Sequence, residues 1–255
     1  MNLLSHVGKL KGSFKNKDNR SAKLLYNWDA LRIIMEKFIV AGNGSTLRAR
    51  CAYGILLTMK TGIRVGNETS AEGYVCDQKY HALYGKTINV YGLTTLRKEH
   101  VSMSGGIIHL NFLGKKAVQQ ELRTSNSILL RYYSSVSSHG LNTWLGIDYG
   151  DIYHFVKRSI GRKIKPKDIR TAAVNMLFIH KAERAKIMQQ PFAKKADANK
   201  ALKMIVEATA TEIGHTSGVC KSAYISKNLY TVMKERLYDS ISRMREKNKK
   251  SNYKQ

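Results

Sequence analysis

The sequence predicts a mainly α fold carrying one small antiparallel β-sheet. Hydrophobic residues recur at three- and four-residue steps from Leu24 to Thr61 and again from Ser125 to the C-terminus, the helical period. Between residues 91 and 124 the period drops close to two, the signature of short strands. Only two prolines interrupt 255 residues, so long helices are possible.

In order along the chain, residues 1–23 are basic, contain Gly and Asn and lack periodicity, so they read as an arm. Leu24, Leu25, Trp28, Leu31, Ile34, Met35, Phe38 and Ile39 form one amphipathic stripe, with Gly42 in the position that closes a helix. Ser45 and Thr46 offer an N-cap for a second helix carrying Leu47, Tyr53, Leu56 and Leu57 and ending near Thr61-Gly62. Leu93–Leu96, Val101–Met103, Ile107–Phe112 and Val118–Leu122 read as four strands, with turns at Gly105-Gly106 and Gly114-Lys115-Lys116. Helices are expected over Ser127–Ser137, Asp148–Ile160, Lys167–His180, Ala196–Ile213, Ser217–Lys227 and Tyr230–Lys247, two of them preceded by Pro166 and Pro191. The final REKNKKSNYKQ reads as a solvated basic tail.

Composition narrows the function. Forty-four Lys and Arg against 18 Asp and Glu give a net charge of +26, which calls for a polyanionic partner. Nucleic acid leads, ahead of an acidic membrane surface. No apolar run has transmembrane length, and the N-terminus lacks a signal-peptide core. Cys51, Cys76 and Cys220 are scattered and odd in number, which speaks against disulfide scaffolds and cysteine-rich zinc folds and for a reducing compartment.

Single motifs are weak. Gly42-Asn43-Gly44 precedes a helix, but no strand leads into it and no Walker lysine follows. The eight histidines are dispersed, and no acidic pair suggests two-metal phosphoryl chemistry. A basic protein that cuts DNA without metal must stabilise phosphate charge with its own cations. It also needs a side-chain nucleophile and an acid for the leaving oxygen. Thr61–Glu68, Leu113–Lys115, Lys167–Thr171, Ile213–Ser217 and Ala223-Tyr224 supply those residue types.

TGIRVGNE, YGLTTLRKEHV, FLGKK, KDIRTAAVN and IGHTSGVCKSAY, in that order over residues 61–225, resemble the signature blocks of type IB DNA topoisomerases of the small poxvirus and bacterial kind. The resemblance implies the catalytic fold of DNA breaking–rejoining enzymes over residues 24–255. It matches Arg64 and Arg170 to the two catalytic arginines, Lys115 to the hairpin general acid, His215 to the catalytic histidine and Tyr224 to the nucleophile. Lys167 would lie near a phosphate, and Lys116 and Lys221 are further candidates for DNA contact.

These roles make chemical sense. A free tyrosine ionises near pH 10 and is a poor nucleophile at neutrality. Guanidinium groups favour the phenolate and neutralise the non-bridging oxygens of the transition state through a planar fork of donors. Taken singly, Arg64 and Arg170 would pass as surface or ion-pair residues, Lys115 as a turn lysine, His215 as part of a helix cap, and Tyr224 is one of 14 tyrosines. The ordered set carries the inference.

The resemblance further implies ATP- and metal-independent relaxation of duplex DNA through a 3′-phosphotyrosyl intermediate, by a monomer with no cofactor, no small-molecule ligand and no membrane partner. A location in the cytoplasm, at the nucleoid or in a viral factory would follow. Tyrosine recombinases and integrases are the alternative, because they use nearly the same residues. They usually carry His-x-x-Arg where this chain has Lys167-Asp168-Ile169-Arg170. The small topoisomerases usually begin with a β-rich clamp domain. About 23 residues precede the first predicted helix here, so the expectation is either a catalytic piece of a longer protein or a chain without that conventional clamp.

Overall fold

The apolar stripe from Leu24 to Ile39 is continuous, yet the chain makes two helices of it, α1 (Asp18–Tyr26) and α2 (Trp28–Ala41). Asn27 causes the break. Its side-chain amide donates to the Lys23 carbonyl at 3.0 Å, taking a group that a continuing helix would use. The computed structural model describes residues 18–75, 78, 81–137, 142–190 and 192–252. Residues 1–17 of the expected arm, Cys76 and Pro191 lie outside the described residues. Residues 18–23, read from the sequence as the end of that arm, are helical.

Gly42 does not take the left-handed conformation expected of a helix-closing glycine. Its φ is −96°, and Gly44 (φ 68°) makes the left-handed turn instead. Gly42 is required for a different reason: a Cβ there would collide with Thr46 Oγ1 and sit 2.7 Å from Ala49 Cβ, at the start of the next helix. That helix, α3 (Leu47–Thr61), begins as expected, with Thr46 accepting a hydrogen bond from the Ala49 amide at 3.2 Å. It is buried on nearly every face, from Cys51 to Met59 without interruption, as a helix apolar all round must be. Helices α2, α6 (Ser127–Ser137) and α7 (Tyr149–Ser159) pack around it. The Tyr53 hydroxyl donates to the Leu129 carbonyl at 2.9 Å, and its ring meets Trp144 edge-on. Gly54 lets α3 approach Leu93, whose Cδ2 would lie 3.0 Å from an added Cβ. Asp148 and Asp151 cap α7 reciprocally, at 2.7 and 3.1 Å.

The expected sheet forms from three strands, β3 (Val101–Ser104), β4 (Ile107–Gly114) and β5 (Val118–Thr124), in sequential antiparallel order. Gly105 and Gly106, both at positive φ, make the first turn. Ile108, Leu110, Phe112 and Leu122 face inward. A separate two-residue pairing joins β1 (Tyr74–Val75) to β2 (Thr87–Ile88), flanked by the short helices α4 (Glu68–Gly73) and α5 (His81–Tyr84).

The first of the four expected strands is not one: Leu93–Thr95 is a single 3₁₀ turn. Its Thr95 hydroxyl bonds locally to both backbone groups of Gly92, at 3.0 and 3.3 Å, and such threonine bonds compete with ladder pairing.

Helix α8 (Pro166–Arg184) starts on its proline. The chain divides within it: Arg20–Ala173 forms one compact unit, and Val174 onward belongs to the other. In the second unit α9 (Lys195–Glu212) packs on α10 (Ser217–Ala223) and α11 (Lys227–Asn252). Leu202, Ile205, Val206, Leu229, Met233 and Leu237 form its apolar centre. Helix α10 stops four residues before its expected end, and α11 runs on through residues read from the sequence as a tail.

His100 closes a 3₁₀ turn before β3. Its Nδ1 accepts from the Arg97 amide at 3.0 Å, and its ring lies 4.2 Å from that of Tyr91. Burial pulls its pKa below the usual 6.5, so the fold favours the neutral imidazole. The sign follows: this contribution is present above pH 6.5 and is lost as pH falls and the unfolded chain takes up the proton. The denaturation midpoint should therefore drop between pH 7 and pH 5 by less in His100→Gln than in the parent, as read by chemical unfolding at each pH.

Candidate active site

Helix α3 ends because Gly62 turns left-handed (φ 67°), its amide still bonded to the Thr58 carbonyl at 2.9 Å. The chain then runs through Ile63, Arg64, Val65 and Gly66, a segment fastened by its backbone. The Arg64 carbonyl accepts from the Leu93 amide at 2.7 Å. The Val65 carbonyl accepts from the Thr94 amide at 2.7 Å and the Thr94 hydroxyl at 3.0 Å. Gly66 has φ 104°, and Gly92 lies so close that a Cβ there would be 2.6 Å from both the Cα and the nitrogen of Gly66. The TGIRVGNE and YGLTT blocks are thus two halves of one backbone joint.

Arg170 completes it. Rising from the second turn of α8 and 4% exposed, it donates through Nε to the Gly62 carbonyl at 2.5 Å. Two arginines 106 positions apart in sequence are thereby registered on the same short loop, with Arg64 half-buried. The start of α8 is set by buried Asp168, which accepts from the Lys165 amide at 2.9 Å and pairs with Arg20 Nε at 3.2 Å. Lys167 is exposed on the same turn.

Lys115 and Lys116 are both exposed at the β4–β5 turn. Lys116 (φ 64°, ψ 32°) and Ala117 (φ 54°) take left-handed backbone conformations.

His215 and Tyr224 meet in the second unit. Gly214 (φ 64°) ends α9, and Thr216 caps α10, accepting from the Val219 amide at 3.4 Å. Tyr224 follows α10 directly and is 6% exposed, with its ring 5.3 Å from that of His215, tilted by 32°. Asn175 on α8, itself 1% exposed, fixes this corner. It donates to the Tyr224 carbonyl at 2.8 Å and accepts from the Ser226 amide at 2.9 Å. That double bond explains why α10 stops at Ala223: the backbone groups on either side of Ile225 are taken by a side chain. Lys221 is exposed, with Nζ 4.3 Å above the ring of Tyr230.

Motif reading singled out Arg64, Lys115, Arg170, His215 and Tyr224 and missed the residues that hold them: Gly66, Gly92, Thr94, Asp168 and Asn175. Each lies within a quoted block. The available signal was that a block contains more than the residue matched to a catalytic role.

A cavity of about 660 Å³ elsewhere in the first unit is lined by His154, Lys157, Arg158 and Arg162 at the end of α7. Cations there are what the unpaired carbonyls and dipole of a helix C-terminus favour. Among the described residues no group of three or more His, Cys, Asp or Glu is placed to hold a metal ion, and no helix is long and apolar enough to cross a membrane.

The joint makes a specific demand. Gly92→Ala would drive its methyl into the Gly66 backbone and to 2.8 Å from the Arg64 carbonyl. The Arg64 loop must then move; on the function proposed below, in which Arg64 acts on a DNA phosphate, single-turnover DNA cleavage should fall about 10²-fold or more, since misplacing a catalytic group by about 1 Å costs that much. Duplex affinity, spread over many cations, should change far less.

A family model described as "Eukaryotic DNA topoisomerase I, catalytic core" matches residues 15–254. The chain is 26% identical over 157 residues to "DNA topoisomerase 1B" of Acanthamoeba polyphaga mimivirus, covering 56% of this chain and 46% of that protein. It is 26% identical over 167 residues to the "DNA topoisomerase 1B" of Vaccinia virus (strain Copenhagen), covering 63% and 51%. A Monkeypox virus "DNA topoisomerase I" matches at 25% over the same length. The chain therefore aligns with about half the length of the curated relatives it matches. Since the family model takes in nearly every residue, Arg64 through Tyr224 included, the chain belongs to the DNA topoisomerase I catalytic-core family.

Proposed function

We propose that this protein relaxes supercoiled duplex DNA by nicking one strand, letting it rotate about the other, and resealing it. The observation that carries this is the anchoring of Arg170 to the loop that presents Arg64. Two permanently charged planar forks registered on one backbone joint are what the non-bridging oxygens of a phosphodiester require. The viral relatives named DNA topoisomerase 1B support the same activity.

In this mechanism Tyr224 gives up its phenolic proton to solvent, its oxygen attacks the phosphorus, and the bond to the 5′ oxygen breaks. Lys115 gives that oxygen its proton, while Arg64, Arg170 and His215 stabilise the charge on the non-bridging oxygens. The 3′-phosphotyrosyl bond conserves the energy of the phosphodiester. Resealing is the reverse: the 5′ hydroxyl attacks, Lys115 takes its proton back, and Tyr224 leaves. No nucleotide is consumed, and arginine charge does the work that a metal does in other phosphoryl-transfer sites. Lys167, Lys116 and Lys221 are assigned to phosphates beyond the broken bond, and the acting species is a monomer on duplex DNA.

Two measurements test this. A supercoiled plasmid in excess chelator without ATP should relax whether its supercoils are negative or positive; strict dependence on magnesium, or strand exchange between paired sites, would contradict the proposal. Lys115→Ala should cleave ordinary DNA about 10²–10⁴-fold more slowly. It should cleave a 5′-bridging phosphorothiolate at close to the parental rate, because a thiolate (thiol pKa about 8.5) leaves without a proton. Arg64→Ala and Arg170→Ala should stay impaired on both substrates.

A further inference from the structure

Among the described residues four that are not glycine hold positive φ: Asn43, Lys116, Ala117 and Lys186. Asparagine tolerates that region through its short polar side chain. Lys116 and Ala117 do not share that excuse, and they are consecutive and directly follow Lys115. Backbone strain of this kind persists only where the surroundings over-determine it, and it collects at functional sites.

The surroundings here are specific. Lys115, Lys116 and Ala117 form a three-residue hairpin loop between Gly114 and Val118, which pair across the strands. Such loops ordinarily end on a glycine in the left-handed conformation. In this chain the position is an alanine, 6% exposed, buried with Ile88 and Val90 and packed against Leu113. A glycine would adopt the same backbone freely but would leave that seat empty. The neighbouring rung is fixed as well, since the Tyr91 amide donates to the Leu113 carbonyl at 2.8 Å. A Cβ on Gly114 would lie 2.8 Å from Gln120 Cγ, so the Gln120 side chain would have to shift to admit one.

We propose that Ala117 is a positioning residue for Lys115: its buried methyl clamps the strained turn onto Ile88 and Val90, so that the preceding lysine extends from a fixed backbone. The methyl is thus kept at the expense of local strain, an exchange that makes sense where placement matters more than local stability. The proposal rests on Lys115 being the general acid. A proton donor is sensitive to placement in a way that a phosphate-binding cation on a long flexible stem is not.

The test separates placement from folding. Ala117→Gly relieves the backbone strain, so its melting temperature should equal or exceed that of the parent. Its single-turnover cleavage of ordinary duplex DNA should nevertheless fall about tenfold or more, and cleavage of the 5′-bridging phosphorothiolate should stay within about twofold of the parent. Ile88→Ala, which empties the seat from the other side without touching the hairpin, should show the same sulfur-rescued defect even if its melting temperature drops. Equal slowing on both substrates, or no slowing on ordinary DNA, would overturn the proposal. If Lys115→Ala is itself not rescued by sulfur, the general-acid assignment fails and this proposal with it. If Lys115→Ala is rescued and the two seat variants are not, only the positioning role of Ala117 fails.

Discussion

Three carbonyl groups, those of Gly62, Arg64 and Val65, hold in place the loop that carries Arg64 in the first unit. They accept hydrogen bonds from two distant parts of the chain: the Arg170 side chain, and the Leu93 amide with the amide and hydroxyl of Thr94. A segment leaving a helix through a left-handed glycine would otherwise be free to wander. Here the end of α3, the 3₁₀ turn at Leu93–Thr95 and the start of α8 converge on its backbone, and the glycine pair at 66 and 92 allows the approach. A buried arginine needs partners for its fork of donors, and Arg170 finds one in the carbonyl that α3 leaves over. One hydrogen bond thus satisfies the helix end and ties Arg170 to the loop that carries Arg64.

The second unit solves its placement problem with one side chain. Asn175 offers a donor and an acceptor, which is what the carbonyl of Tyr224 and the amide of Ser226 need. An aspartate would lack the donor, and an apolar residue would leave both groups unpaired in a buried corner. The tyrosine is therefore held by its main chain. Its ring lies beside His215 while the hydroxyl's chemistry is left to its surroundings.

Periodicity made most helices legible, because α2, α6, α7 and α9 bury faces that recur at the helical step. It failed where a side chain competes with the backbone. Asn27 splits an unbroken apolar stripe, and Thr95 turns a strand-like LTTL into a 3₁₀ turn. Asn175 cuts α10 short of Lys227. Gly42 looked like a helix closer and proved to be a site of close approach, a distinction that only three-dimensional neighbours can make. The residues proposed to carry the chemistry stand out in the sequence through their ordered blocks. Their supports do not, because Gly66, Gly92 and Ala117 have meaning only in contact with segments distant in sequence. The strain at Lys116 and Ala117 has no sequence signature at all, since neither residue type advertises a positive φ.

The central claim is that one tyrosine hydroxyl becomes covalently joined to a DNA 3′ phosphate. A duplex cut to a length that loses its leaving strand on cleavage would trap that bond. Proteolysis and mass spectrometry of the trapped complex would then locate the nucleotide-bearing residue. The account predicts a nucleotide adduct on Tyr224, formed in excess chelator and linked through a phosphate to the 3′ end. An adduct on another residue, a 5′ linkage, or cleavage with no adduct at all would contradict it.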